Sequence, residues 1–440
     1  DPEAIAKEVN ELIENEAERH TIRKQAYLYG REMVWSKVAE NYMETFTRAR
    51  LEPIPRPRTL LVPSKIETQN NELPPLNFYH LNRMTDNTGL LQHAVFTTPN
   101  YAEGYTTDDN ARGMIVAVML ERLGDDWLTG SEELASRYLA FLLYAYNHEN
   151  HRFRNFLSFD RRWYEKVGSE DSHGRSLWGL GMMAGHTRHD ALRDVSGMLF
   201  NEALPKAIEF NSPRSWAFSL LGIHEYLTRF SGDRMAMNVG RELAQRLKEI
   251  YRISSQPGWN WFENMVTYNN ASLPHALLCS GESQGDQEMI DIGLESLTWL
   301  MGQQTSNGYF APVGNNGFYY RGGIKANYDQ QPIEAQATVS ACIKAYQLTG
   351  DARWQQMARH AFDWFIGKNQ LGLPLYDSQT GGCRDGLQPD RVNQNEGAES
   401  TLSFYISLLE LYLLDKPTGG KISRSRDMAL LPLKAPLDRE

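Results

Sequence analysis

The sequence predicts an all-α protein, an (α/α)6 toroid of six helical hairpins preceded by a short N-terminal helical segment. Three observations lead there. Six stretches, 108–120, 173–185, 212–223, 269–281, 331–343 and 397–409, open on small or polar residues after irregular loops and continue as nearly all-apolar helices. Between them run amphipathic segments with a charged face, among them 132–146, 234–251, 286–303 and 352–367. A helix that is apolar all round has to be buried, whereas one with a polar stripe faces water, so the alternation describes an inner ring inside an outer one. Sustained period-two alternation is absent, which removes a strand-rich alternative.

Taken in order, the chain opens with Asp1 as a helix cap and Pro2 at the first helical position. Ile5, Val9, Leu12 and Ile13 keep helical spacing, and two or three amphipathic helices extend over 1–50. The proline-dense stretch 51–76 reads as an extended linker. Helix follows helix over 77–414, and a polar, loose tail is expected over 415–440. Two loops facing the inner helices, 307–328 and 371–395, are long and rich in Gly, Asn, Tyr and Asp, a composition that favours function over mere connection.

Composition narrows the chemistry. With 45 basic against 55 acidic residues and no basic block, the formal charge of -10 argues against nucleic-acid binding. Three cysteines, Cys279, Cys342 and Cys383, form no C-x-x-C pair, so neither a disulfide framework nor a metal site is expected. No cofactor motif is present either. The longest apolar run, 138–146, is too short for membrane insertion. No signal peptide opens the chain, and the expected compartment is the cytoplasm. The 10 Trp and 21 Tyr often fall in polar, Gly-containing loops. That placement suits sugars, whose C–H faces stack on aromatic planes while their hydroxyls need polar partners.

Carboxylates recur where the inner helices begin. Asp108 and Asp109 open the first, Asp171 precedes the second and Glu263 the fourth. Asp329 and Glu334 flank the start of the fifth, and Glu396 and Glu399 that of the sixth. Capping accounts for any one of them. It does not account for their company: Asp109 is followed by Asn110 and Arg112, Asp171 by His173 and Arg175, and Glu263 is framed by Trp259, Trp261 and Tyr268. Glycosidic cleavage needs one protonated carboxyl to give a proton to the leaving oxygen, and an ionised one to attack the anomeric carbon or activate water. Asp109 and Asp171 are the leading candidates for these roles, with Glu263, Asp329 and Glu399 as competitors. Candidate sugar contacts are Trp259, Trp261, Tyr268, Tyr320 and Tyr328 for stacking, with Asp108, Asn110, Arg112, His173, Arg175, Asn270 and Gln331 for hydroxyls. An internal echo, T-x-[DN]-N-A, joins 107–111 to 267–271, and the acid in the first copy makes it the better candidate for proton chemistry. His224 and His275 read as core histidines, with a base role in an epimerase as the alternative; His186 and His189 read as surface histidines.

Longer motifs carry a resemblance. GYTTDDNAR (104–112), WFENMVTYNNASLPHALL (261–278), YDQQPIEA (328–335) and YDSQTGGCRDGLQPDRVNQNEGAESTL (376–402) resemble the helical domain found fused to, or encoded beside, bacterial family 4 glycosyltransferases. That domain is similar to the (α/α)6 superfamily of glycoside hydrolases and N-acylglucosamine-type 2-epimerases. Where such domains often read T-Y-D-N-A, this chain has Asn269. Residues 1–48 resemble the C-terminal tail of the glycosyltransferases themselves, so the chain reads as the downstream part of a longer fusion. The resemblance implies an oligosaccharide or polysaccharide substrate, with mannose a candidate sugar, and association with a glycosyltransferase. The leading expectation is therefore a glycoside hydrolase-like enzyme. A sugar 2-epimerase or isomerase and a non-catalytic glycan-binding module are the alternatives.

Overall fold

In the computed structural model, residues 1–31, 33–51, 72–124 and 128–415 are described. The chain divides into two compact units, Asp1–Val62 and Pro63–Glu440. The first carries three helices, α1 (Pro2–Glu14), α2 (Glu16–Arg31) and α3 (Trp35–Leu51). Asp1 caps α1, its carboxylate accepting the Glu3 N–H at 3.1 Å. No residue of α1 is buried, and Ile5 and Ile13 are two-thirds exposed. The proline-rich linker falls mostly on 52–71, and the polar tail on 416–440; both lie outside the described residues.

The second unit begins with a short helix, α4 (Tyr79–Met84), and then alternates. In chain order the inner helices are α5 (Thr107–Leu123), α7 (Glu170–His186), α9 (Pro213–Leu227), α11 (Ser272–Gln284), α13 (Pro332–Thr349) and α15 (Ala398–Asp415). The outer ones are α6 (Leu128–Ala145), α8 (Asp190–Ala203), α10 (Arg234–Ser254), α12 (Gln287–Gln303) and α14 (Ala352–Asp363). Each inner helix packs on the next, and α15 packs back on α5, so the ring closes. Each outer helix pairs with the inner helix before it, while α15 is backed by α14 and the short α4 from the start of the unit.

Burial follows the sequence pattern. In α5, 15 of 17 residues are buried, against 8 of 21 in α10, whose Val239, Leu243, Leu247 and Tyr251 form a single inward stripe. Three inner helices start on side-chain caps: Thr106 for α5, Ser169 for α7 and Ser212 for α9. Pro213 and Pro332 occupy first-turn positions, and Gly350 ends α13 in the left-handed conformation. Where α7 crosses α9, the backbones nearly touch: a Cβ on Gly181 would lie 2.0 Å from the Gly222 carbonyl oxygen, and one on Gly222 2.4 Å from that of Leu177. Only glycine fits both positions.

Among the described residues the strands are two-residue ribbons in the loops. Tyr105–Thr106 pairs with Phe156–Leu157, and Met265–Val266 with Tyr319–Tyr320, tying loops together around the N-terminal ends of the inner helices. The three cysteines are free and buried. Among the described residues no helix is long and apolar enough to cross a membrane.

Candidate active site

The inner helices run in one direction, so their first turns and the loops before them share one mouth of the ring. A cavity of about 440 Å³ opens there. Six of the residues singled out from the sequence line it: Asp108, Asp109, Arg112, Asp329, Gln331 and Glu399.

At its centre is one guanidinium with three carboxylates. Arg112 Nη2 lies 3.0 Å from Asp108 Oδ1, 3.0 Å from Asp109 Oδ1 and 3.1 Å from Glu399 Oε2. Helical spacing explains two of these contacts, since Asp108 and Asp109 precede Arg112 by four and three residues on α5. The third needs ring closure, which brings the first turn of α15 against α5. Burial works against the charge on Arg112, yet the three carboxylates together raise its pKa. It is the fixed cation of the site.

The three acids are not equivalent. Asp109 is buried; its Oδ2 accepts the Thr106 hydroxyl at 2.6 Å, and Thr106 Oγ1 in turn accepts the Asp109 N–H. Burial pushes its pKa from 3.8 up to about 6; Arg112 opposes the shift and Asp108 adds to it. Asp108 sits under two arginines, with Arg175 Nε at 3.4 Å on the same oxygen, and its side chain is 23% exposed. Glu399 is 41% exposed. All three line the cavity, Asp108 and Glu399 as its more exposed acids and Asp109 as the most buried.

Asp171 and Glu263 are not among the residues lining this cavity; they belong to a separate cluster built on α7, α9 and the loop before α11. Asp171 accepts the Ser212 hydroxyl at 3.0 Å and the Tyr268 hydroxyl. Arg214 reaches Glu263 Oε2 at 2.8 Å and the Tyr268 carbonyl at 2.5 Å, with its guanidinium 4.7 Å from the Tyr268 ring centroid. Glu334 is buried beneath this turn, accepting the backbone N–H groups of Asn269 and Asn270 and the Asn270 side-chain amide at 2.8 Å. Burial raises its pKa from 4.5 to about 7 against those hydrogen bonds.

Five candidates lie in the interior instead. His173 sits between Phe153 and Phe210, with Nε2 3.1 Å from the Ala203 carbonyl oxygen, and burial lowers its pKa to about 3. Trp259 and Trp261 are buried against Trp299, their indole N–H groups donating to the Glu263 and Met265 carbonyls. Asn110 and Asn270 are fully buried clamps. Asn110 holds Leu90 N–H and the Thr106 carbonyl, and Asn270 holds Thr267 through both its N–H and its carbonyl. The physical reason is shared: beside a turn that opens a buried helix, an amide or indole satisfies backbone groups that no water reaches.

Tyr268 and Tyr320 keep exposed rings, while Tyr328 is half-buried and joined to Asp329 by a cis peptide bond. Arg175 is buried, stacked 4.2 Å from the Phe218 ring centroid. Sequence reasoning missed His93, Asn155, Phe156, Asn315 and Asp385, which also line the cavity. Asp385 accepts Gly397 N–H and the Ser400 hydroxyl, both at 2.8 Å, and so orients the start of α15. Its GGCRDG setting gave a signal, because an acid in a long Gly-rich loop is a site candidate. His93 and Asn155 had none.

No protein-family model and no curated protein sequence matches this chain; the likeness is to solved structures. A sugar epimerase from a ruminal bacterium superposes with a TM-score of 0.61 at 10% identity, over 77% of this chain and 96% of that one. Cellobiose 2-epimerase from Bacillus thermoamylovorans B4167 gives 0.59 at 11% identity, over 76% and 96%. The α-1,6-mannanase GH76A of Salegentibacter sp. HEL1_6 gives 0.53 at 13% identity, over 77% and 96%. That structure is an inactive variant with two adjacent aspartates replaced by alanine, in complex with α-1,6-mannotetrose. At such identities the likeness establishes the fold: this chain is an (α/α)6 toroid, the architecture of sugar epimerases and glycosidases alike.

Proposed function

We propose that this chain is a glycoside hydrolase-like enzyme acting on an oligosaccharide or polysaccharide, with Asp108 and Asp109 as its reacting pair. The observation that carries this reading is the arrangement of carboxylates on Arg112. Asp108, paired with Arg112 and Arg175 and open to the cavity, is assigned as the nucleophile; Asp109, buried and with a raised pKa, is assigned as the proton donor. Asp109 gives its proton to the glycosidic oxygen as the bond to the anomeric carbon breaks, and an Asp108 oxygen bonds to that carbon. Water then hydrolyses the glycosyl ester, with Asp109 taking back the proton. Oxygens held at 3.0 Å by one nitrogen cannot be more than 6.0 Å apart. That bound falls short of the roughly 6.5–9.5 Å separation of inverting glycosidases and admits the roughly 5–5.5 Å of retaining ones.

Two adjacent aspartates are also the residues replaced in the inactive mannanase variant, which supports α-linked mannose as the first sugar to try. The resemblance of residues 1–48 to a glycosyltransferase tail supports action beside such an enzyme. The test is mass spectrometry and anomer-resolved NMR on a panel of manno- and gluco-oligosaccharides, with Asp108→Asn and Asp109→Asn in parallel. Cleavage with retained configuration, lost in both variants, is expected. Cleavage that survives both would remove the assignment.

One observation favours a second reading. His93 is exposed and lines the same cavity, where an epimerase would place a base. Deuterium uptake from D2O at the sugar C2, abolished by His93→Gln and kept in Asp109→Asn, would select it.

A further inference from the structure

Toward the opposite mouth of the ring, where the inner helices end, lies a second cavity of about 400 Å³. All six inner helices contribute to it: Met119 from α5, Trp178 from α7, Glu225 from α9, His275 from α11, Lys344 from α13 and Glu410 from α15. A volume of this size falls in the roughly 300–1,000 Å³ range of small-molecule sites. None of these residues takes part in the chemistry at the first mouth.

Among its charged side chains, Arg122, Glu225 and Lys344 each already have a partner. His186 Nε2 lies 2.5 Å from Glu225 Oε2, and Lys344 Nζ donates to Glu282 Oε2 at 2.6 Å and lies 3.2 Å from His224 Nε2. The side chains left with capacity are neutral. Among the described residues no side-chain hydrogen bond to His275 is found, and burial, with help from Lys344, lowers its pKa to about 3. Glu410 has one oxygen on the Ser340 hydroxyl at 2.7 Å, and burial raises its pKa to about 8, so its other oxygen is free to donate or accept. A neutral imidazole and a carboxylic acid each offer one donor and one acceptor. The same lining includes the apolar side chains of Met119, Met182, Ile115 and Ile406 and the indole of Trp178.

A ligand matched to this lining is neutral, because a charged one would have to displace a standing ion pair. It carries several hydroxyls that both donate and accept, and it has an apolar C–H face. We infer that the second mouth is a binding site for a small neutral polyol, of the size of a mono- or disaccharide, separate from the carboxylate cavity. Paired charges around unpaired neutral groups are a poor design for a solvated channel. They are a fitting one for a sugar-sized ligand, whether product or regulator.

The experiment uses the full chain carrying Asp108→Asn and Asp109→Asn, so that no turnover confuses it. D-Mannose, D-glucose and mannobiose are the probes, followed by saturation-transfer NMR and calorimetry. The expected result is binding of at least one probe that falls at least ten-fold on adding His275→Phe or Glu410→Leu, and is kept in Glu410→Gln, which preserves a neutral donor and acceptor. Circular dichroism of each variant separates lost binding from lost folding; the Leu–Gln contrast at position 410 keeps the test open if His275→Phe does not fold. No binding of any probe, or binding insensitive to both positions, overturns the inference. Either result is independent of whether the first mouth cleaves glycosides.

Discussion

The loops that open α5 and α11 pass through the same five-residue frame, 107–111 and 267–271, and do different things with it. In both, the fourth residue is a buried asparagine that clamps the chain ahead of the helix. In both, the third is buried, but at α5 it is Asp109 on Thr106 and Arg112, while at α11 it is Asn269, with φ +47° and its amide oxygen accepting the Ser272 hydroxyl. The second position differs most. Asp108 points a carboxylate at two arginines, whereas Tyr268 points a hydroxyl at Asp171. The comparison teaches that the frame itself is a structural device, and that chemistry depends on which residues fill its two middle positions.

The largest expected effect breaks the α5 frame. Asp108→Asn or Asp109→Asn, each isosteric, should lower kcat/KM by about 10²–10⁴-fold, with far-ultraviolet circular dichroism unchanged. In the wild type, loss of the Asp109 proton with a pKa near 6 should bring the rate down as pH rises through that value, and a rate still climbing at pH 8 would count against its role as acid.

The shared clamp predicts equal, structural damage. Asn110→Ala and Asn270→Ala each strand buried backbone groups and should cost about 1–3 kcal/mol in urea unfolding. A cost at only one of them would mean that the two frames are alike in sequence alone.

The α11 frame rests on Glu334, whose folded pKa of about 7 exceeds the ordinary 4.5. The protonated form is the one favoured by folding, so its stabilisation is full below about pH 4.5 and is lost as pH rises through 7. Thermal unfolding between pH 4.5 and 7.5 should show this fall, and Glu334→Gln should flatten it. A variant that keeps the wild-type slope would remove Glu334 from that account.

The smallest effect is expected from Asn269→Asp, which restores the third-position acid at α11. Activity should stay close to that of wild type, since the residue of α11 that answers to Arg112 is Ser272.

Much of this is legible in the amino-acid sequence. The inner helices could be read because a helix buried on every side must be apolar nearly throughout, and α5 and α13 are. The acidic character of the first mouth was legible for a similar reason, since Asp108, Asp109 and Arg112 lie within one turn and their proximity is fixed by helical spacing. What could not be read was the contact with Glu399, which depends on ring closure across 287 residues. Nor could sequence separate Asp109 from Asp171, because both open inner helices on a cap. The aromatic residues misled for a physical reason: Trp259 and Trp261 stand in a polar stretch, yet their indoles fold inward to satisfy its carbonyls. His173 likewise stands beside Asp171 in sequence but turns into the core between two phenylalanines.

The most direct measurement sets three proteins side by side on the same oligosaccharide panel: wild type, Asp109→Asn and Asn269→Asp, with released reducing ends counted. If the α5 mouth performs the chemistry, wild type and Asn269→Asp cleave at similar rates and Asp109→Asn does not. If Asp109→Asn keeps its activity, or only Asn269→Asp shows any, the reacting carboxylates are not the pair on Arg112.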